Sequence, residues 1–151
     1  MLNNDYKEML QCLNAEGVEY LLVGAYALAA HGFPRATMDI DIWIKPSPTN
    51  AKAVWKALER FGAPLQQVSI EDFQSEDIIF QIGVAPRRID IITGVSALNF
   101  DETLKKAEEV IIEGVKIFIP SVADLITNKR ATGRTKDLAD VETLETLTKQ
   151  P

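Results

Sequence analysis

Two aspartates flank one isoleucine in the stretch Thr37-Met38-Asp39-Ile40-Asp41-Ile42-Trp43-Ile44-Lys45. Apolar residues alternate there, which predicts a strand over Thr37–Lys45 with Ile40, Ile42 and Ile44 on one face and Asp39, Asp41 and Trp43 on the other. The side-chain period of two puts both carboxylates on one side, with Cα atoms roughly 6.5–7 Å apart. Carboxylates at that reach can grip one hard cation or flank a pair, and magnesium takes such oxygen ligands while keeping room for water and phosphates. A third acid, Asp90, interrupts the apolar run Arg88-Ile89-Asp90-Ile91-Ile92. If that strand lies beside the first, three carboxylates meet, one tends to hold a proton, and a divalent ion removes the conflict. Two ions about 3.5–4 Å apart would clamp the attacking and leaving oxygens of a phosphoryl displacement. The same residues also describe a half-solvated strand, and Asp90 can equally be a surface charge or the partner of Arg88. On these acids alone the readings stay open.

A glycine turn precedes the first acids. Val23-Gly24-Ala25-Tyr26-Ala27 follows an apolar run and opens a helical one. A residue without a side chain lets the backbone approach a ligand, and free amides at a helix start favour phosphate, although a glycine after a strand is most often just a turn. Lys129, Arg130, Arg134 and Lys136 form the densest basic cluster. Lys129 and Lys136 are candidates for neutralising phosphates, against the alternative of a solvated helix end. Arg35 either orders the loop by pairing with Asp137 or Asp140 or reaches a nucleotide, with the structural role preferred. Thr37 can offer its hydroxyl to the site or simply suit a strand. His31, before Gly32, fits a cap or packing role better than that of a base. Trp43 and Tyr26 read as packing residues before base-stacking ones.

These residues need elements to hold them. Helices are predicted over Asp5–Ala15, Ala25–Ala30, Thr49–Phe61, Phe100–Ala107, Ser121–Ala131 and Asp137–Leu147, with a helical turn over Ile70–Ser75. Strands are predicted over Glu19–Val23, Thr37–Lys45, Asp77–Ile82, Arg87–Ile92, Val110–Glu113 and Val115–Ile119. The third and fourth should form an antiparallel hairpin around Gly83-Val84-Ala85-Pro86, and the last two a second hairpin around Glu113-Gly114. Ser121 and Asp124 suggest a box-like start to the fifth helix, and Thr135 a cap for the sixth. Alternating helical and strand periodicity, with no repeat or linker, predicts a mixed α and β domain spanning residues 1–151.

The bulk properties narrow the function classes. The chain has 151 residues, a net charge of −6, 46% hydrophobic and 25% charged residues, as a soluble globular domain does. Its sequence pI near 4.8 disfavours broad DNA binding, which needs a basic face. Cys12 and His31 are the sole residues of their types, so an intrachain disulfide and a Cys/His zinc site are both excluded. The start, MLNNDYKEML, lacks a signal-peptide pattern, and no apolar run approaches membrane-spanning length, so a cytoplasmic location without membrane insertion is expected.

The stretch Gly24-Ala25-Tyr26-Ala27-Leu28-Ala29-Ala30-His31-Gly32-Phe33-Pro34-Arg35-Ala36-Thr37-Met38-Asp39-Ile40-Asp41 resembles the signature of the DNA polymerase beta-like nucleotidyltransferase superfamily. The tail Leu125 to Glu142 is similar to the C-terminal helices of its small bacterial members, including the abortive-infection toxin type and the lincosamide-modifying type. The resemblance runs from about Tyr20 to Glu142. It implies an α+β nucleotidyltransferase fold, a small mixed sheet flanked by helices. It further implies that Asp39, Asp41 and Asp90 hold Mg²⁺ or Mn²⁺, that Asp90 is also the candidate base, and that Gly24 and Ala25 lie against a nucleoside triphosphate. The activity implied is transfer of a nucleoside monophosphate to a hydroxyl acceptor, whether a small molecule, a protein side chain or an RNA end, with release of pyrophosphate. One departure stands out: the superfamily turn is commonly Gly-Ser, or Gly-Gly in some branches, and Ala25 lacks the serine hydroxyl that would reach phosphate while keeping the backbone amide. Ala25, with the short chain, keeps two rivals in view: a non-catalytic nucleotide-binding or toxin–antitoxin interaction protein of the same fold, and a metal-dependent phosphohydrolase. For the transfer reading, the short chain implies that a second subunit or partner protein supplies part of the acceptor site.

Overall fold

The computed structural model describes residues 2–33, 39–84 and 87–148. The elements follow in the order α1 (Asn4–Ala15), β1 (Tyr20–Val23), α2 (Gly24–Ala30), β2 (Ile40–Ile44), α3 (Pro48–Phe61), a 3₁₀ turn (Ile70–Gln74), β3 (Ile79–Ile82), β4 (Ile89–Ile92), α4 (Phe100–Lys105), β5 (Glu108–Ile112), β6 (Val115–Ile119), α5 (Val122–Thr132) and α6 (Thr135–Thr148). Each predicted element is present, with ends shifted by a few residues. Pro34 to Met38, which include Arg35 and Thr37, and Ala85-Pro86 of the first hairpin lie outside the described residues.

Four strands make a mixed sheet in the order β1-β2-β4-β3. The central pair β2 and β4 is parallel, while β1 and β3 run antiparallel to their neighbours. β5 and β6 form a separate antiparallel ribbon. Alternation along β2 separates two environments. Ile40, Ile42 and Ile44 are fully buried in the main core with Leu10, Leu13, Val54 and Leu58 from α1 and α3. On the opposite face Trp43 joins Leu21, Val23 and Phe100 in a second, smaller cluster. Trp43 and Phe100 meet edge to face at 5.1 Å, so the indole is used in packing and is 1% exposed. This cluster covers one end of the acid-bearing face and leaves the other end to Asp41 and Asp90.

Local chemistry sets the element ends. Asn3, Ser47, Asn99 and Ser121 accept hydrogen bonds from the first-turn amides of their helices, each satisfying a donor with no partner inside the helix. Asp124 does not complete a box with Ser121; its carboxylate takes Lys106 Nζ at 3.1 Å instead. The reciprocal box forms at Ser69 and Asp72, opening the 3₁₀ turn. Thr135 lies within α6 rather than ahead of it. Asn50 clips the base of the sheet: its side chain accepts from the Glu19 amide and donates to the Glu19 and Lys45 carbonyls, fixing β1 against β2 where their pairing begins.

Candidate active site

The parallel register of β2 and β4 pairs Asp41 directly with Asp90. Residues opposite one another in adjacent strands point to the same face, so the third acid of the sequence stands beside the second. Burial foremost, then the neighbouring charge of Asp90 and a hydrogen bond with it, then the charge of Asp39, push the Asp41 carboxyl up to about 6 from its ordinary 3.8, with Arg88 opposing. The Asp41 proton is therefore held below about pH 6 and released above it.

Gly24 forms the wall beside Asp41. It opens α2 with φ +71°, and a Cβ built on it would lie 2.4 Å from Asp41 Oδ2. The turn between β1 and α2 therefore sits against the acid only because residue 24 has no side chain. Ala25 follows on the first turn of α2, half-buried. Tyr26, next along, is buried and meets the Tyr6 ring edge to face at 5.8 Å.

Arg88 engages two of the acids. Its Nε donates to Asp90 Oδ1 at 2.8 Å and its Nη2 to Asp90 Oδ2 at 3.2 Å. The same Nη2 lies 3.2 Å from Asp39 Oδ2. The Arg88 backbone amide donates to Asp39 Oδ1 at 3.1 Å. Its carbonyl accepts from the Ile40 amide at 3.0 Å and from the Tyr6 hydroxyl at 3.2 Å. Burial, the Tyr26 charge and the Asp39 charge push the Tyr6 phenol up to about 12, so this donor keeps its proton at neutral pH.

Of the three possibilities the sequence leaves for Asp90, two are realised: it pairs with Arg88 and stands beside Asp41, and being buried it is no surface charge. Asp39, Asp41 and Asp90 thus fall in one neighbourhood, joined by the Arg88 guanidinium. Among the described residues no three His, Cys, Asp or Glu side chains meet round a common point close enough to hold a metal ion as they stand. The donor set nevertheless suits a hard divalent cation. It offers carboxylate oxygens alone, two of the groups stand opposite each other in register on parallel strands, and the Gly24 cradle would be filled by any Cβ.

The basic candidates lie elsewhere. Lys129 Nζ is 2.9 Å from Asp140 and 3.7 Å from Asp137, with both acids buried. Arg134 Nε donates to Asp137 at 2.6 Å, and the Thr132 hydroxyl donates to the same carboxylate. Together these groups hold the Asp137 carboxyl down at about 2, the Arg134 hydrogen bond foremost. Arg130 pairs with Glu145. Lys129 and Arg130 therefore join α5 to α6, Arg134 in the turn between them pairs with Asp137 in the first turn of α6, and Lys136 is exposed. Asp137 and Asp140, the suggested partners of Arg35, are engaged in this network; Arg35 itself lies outside the described residues. His31 bridges α2 to the ribbon: its Nε2 lies 2.8 Å from the Pro120 carbonyl, which can only accept, and its Nδ1 lies 3.5 Å from Glu108. That is the packing role expected.

Sequence reading missed one supporting residue, Tyr6, and one contact of another, that of Arg88 with Asp39. Tyr6 holds the Arg88 carbonyl from α1, a contact 82 residues apart in sequence. The bridge from Arg88 to Asp39 likewise joins separate strands. The only local signal for either was the i, i+2 spacing of Arg88 and Asp90, which places both on one face of a strand.

No helix among the described residues is long and apolar enough to cross a membrane. No curated protein sequence matches the chain. A crystal structure from Thermotoga maritima, described as a "putative nucleotidyltransferase", is similar with a TM-score of 0.58 and 20% identity, over 99% of this chain and 94% of that one. The likeness supports the fold: a small mixed sheet flanked by helices, as the sequence predicts. A family model described as nucleotidyltransferase of unknown function, DUF6036, matches residues 1–150. The match spans the sheet, its acids and both C-terminal helices, so this chain belongs to the DUF6036 family of nucleotidyltransferases.

Proposed function

We propose that the protein transfers a nucleoside monophosphate from a nucleoside triphosphate to a hydroxyl acceptor, using Mg²⁺ or Mn²⁺ at Asp39, Asp41 and Asp90. The observation that carries the proposal is the in-register juxtaposition of Asp41 and Asp90 on parallel strands, directly against the Gly24 turn. A divalent ion there would offset the carboxylate repulsion and the developing charge on phosphate. The residues then divide the work. Asp39 and Asp41 supply oxygen ligands from one strand face. Backbone amides of Gly24 and Ala25 open a helix toward the site and suit phosphate oxygens. Asp90 accepts the acceptor's hydroxyl proton as that oxygen attacks the α-phosphorus; the bond to the bridging oxygen breaks and pyrophosphate departs. Lys129 serves the α5–α6 junction first, while exposed Lys136 is the better placed of the two for phosphate contact.

A second reading is favoured by one specific feature. Ala25 offers an amide but no hydroxyl where related turns commonly carry serine, which suits a protein of this fold that binds nucleotide without turnover, such as one half of a toxin–antitoxin pair. Calorimetric titration with Mg²⁺ and each of the four nucleoside triphosphates, followed by a pyrophosphate assay over a panel of hydroxyl acceptors, separates the two. Binding that disappears in Asp41→Asn, with acceptor-dependent pyrophosphate release, supports transfer. Binding without turnover over the whole panel supports the second reading, and free phosphate released without acceptor would indicate a hydrolase.

A further inference from the structure

We infer that the Arg88 guanidinium is a resident cation of the acid cluster, and that it must leave the carboxylates before a divalent ion can enter. The inference rests on the metal site proposed above. Arg88 precedes Asp90 by two residues, so both side chains rise from the same face of the sheet. Its nitrogens neighbour every carboxylate oxygen of Asp39 and Asp90: the backbone amide and Nη2 take the two oxygens of Asp39, and Nε and Nη2 take those of Asp90. A magnesium ion bonds such oxygens at about 2.0–2.1 Å. A guanidinium already at 2.8–3.2 Å from the same atoms would face it with like charge at a few ångströms. The two cations compete for one set of ligands.

The backbone around Arg88 is built to stay while the side chain moves. Its amide is held by Asp39, and its carbonyl by Ile40 and Tyr6. The Arg88 and Asp39 side chains are each 29% exposed, so the guanidinium can rotate into water without opening the sheet. The resting acids Asp39 and Asp90 are therefore neutralised by one arginine, and loading the site must displace it.

The test compares Mn²⁺ binding, without nucleotide, in the wild type, Arg88→Met and Arg88→Lys. Methionine keeps an apolar stem and removes the charge; lysine keeps the charge but reaches one carboxylate at a time. Free Mn²⁺ is read by electron paramagnetic resonance, and thermal melts are run with and without the ion. The expected result is Mn²⁺ affinity at least about tenfold tighter in Arg88→Met, with Arg88→Lys between it and the wild type. The methionine variant should also melt below the wild type without Mn²⁺ and gain more from its addition. If Arg88→Met does not fold, the lysine variant carries the comparison, and it too should bind more tightly than the wild type. Wild-type binding with no gain in the variants overturns the inference and leaves the metal site standing. Failure of all three proteins to bind Mn²⁺ overturns the metal site, and the inference with it.

Discussion

Substituting Gly24 with alanine tests whether the turn against Asp41 exists for the site. Two costs add at this position. The first is backbone strain, because φ is +71° and an L-residue in that region costs about 1–2 kcal/mol. The second is contact: the new methyl would lie 2.4 Å from Asp41 Oδ2, so the carboxylate or the turn must retreat by roughly 1 Å, costing about 1–3 kcal/mol more in a packed site. Gly62 separates the two. It caps α3 at φ +89°, and a methyl added there would meet nothing within 4 Å, so Gly62→Ala carries strain alone. Both substitutions gain about 0.4–1 kcal/mol from a stiffer unfolded chain, and that term cancels in the comparison. Urea unfolding should show Gly24→Ala less stable than Gly62→Ala by about 1–3 kcal/mol, or a melting temperature lower by roughly 3–10 °C at this chain length. Mn²⁺ affinity should fall in Gly24→Ala and be unchanged in Gly62→Ala. Equal losses of stability, with Mn²⁺ affinity equal in both, would refute the view that Gly24 is constrained by the acid.

Three further outcomes follow from the same geometry. The Asp41 carboxyl, raised to about 6, favours its protonated form in the fold. Its contribution to stability is therefore complete below 3.8 and lost as pH rises through about 6; in metal-free buffer Asp41→Asn should exceed the wild type by about 1–3 kcal/mol at pH 8 and match it near pH 4, and a pH-independent difference would contradict this. Lys129→Met, which takes the cation at 2.9 Å from buried Asp140 and leaves Asp137 with Arg134, should cost about 3–5 kcal/mol in urea unfolding; Lys136→Met at an exposed position should stay within about 0.5 kcal/mol, with any effect confined to nucleotide affinity. Asp90→Asn should remain folded and bind nucleotide while turning over at least about 100-fold more slowly in the pyrophosphate assay; unchanged turnover would remove Asp90 from the mechanism.

What the sequence makes legible divides along the range of the interactions. Alternation in Ile40-Asp41-Ile42-Trp43-Ile44 is a local signal, and it places the buried and the acid-bearing faces of β2 correctly. Helix ends are readable where a capping side chain and its amide lie three residues apart, as at Ser121 and Asp124. The carboxylate of Asp124 escapes such a reading because its actual partner, Lys106, comes from another element. The pairing of Asp41 with Asp90 depends on which strand neighbours which, and only the resemblance to a known signature makes that choice; composition and period leave it open. Arg88 shows the limit most clearly. Its spacing from Asp90 suggests a pair, yet the link to Asp39 requires β4 to lie beside β2, and the supporting Tyr6 hydroxyl arrives from α1. The basic run near Lys129 misleads in the opposite way. Read as a string it is a charge cluster, whereas in the fold Lys129 and Arg130 face acids across the α5–α6 turn and Arg134 pairs within it with Asp137.

Asp39, Asp41 and Asp90 are proposed to act as one cation-binding group beside the Gly24 turn. A crystal structure with Mn²⁺ and a non-hydrolysable nucleoside triphosphate analogue tests it most directly, with the ion located by its anomalous signal. The expected result is Mn²⁺ bonded to oxygens of Asp39 and Asp41, the triphosphate against the Gly24-Ala25 amides, and the Arg88 guanidinium withdrawn from the acids. Manganese located away from these carboxylates, with Arg88 still clasping Asp39 and Asp90 beneath a bound nucleotide, would contradict it.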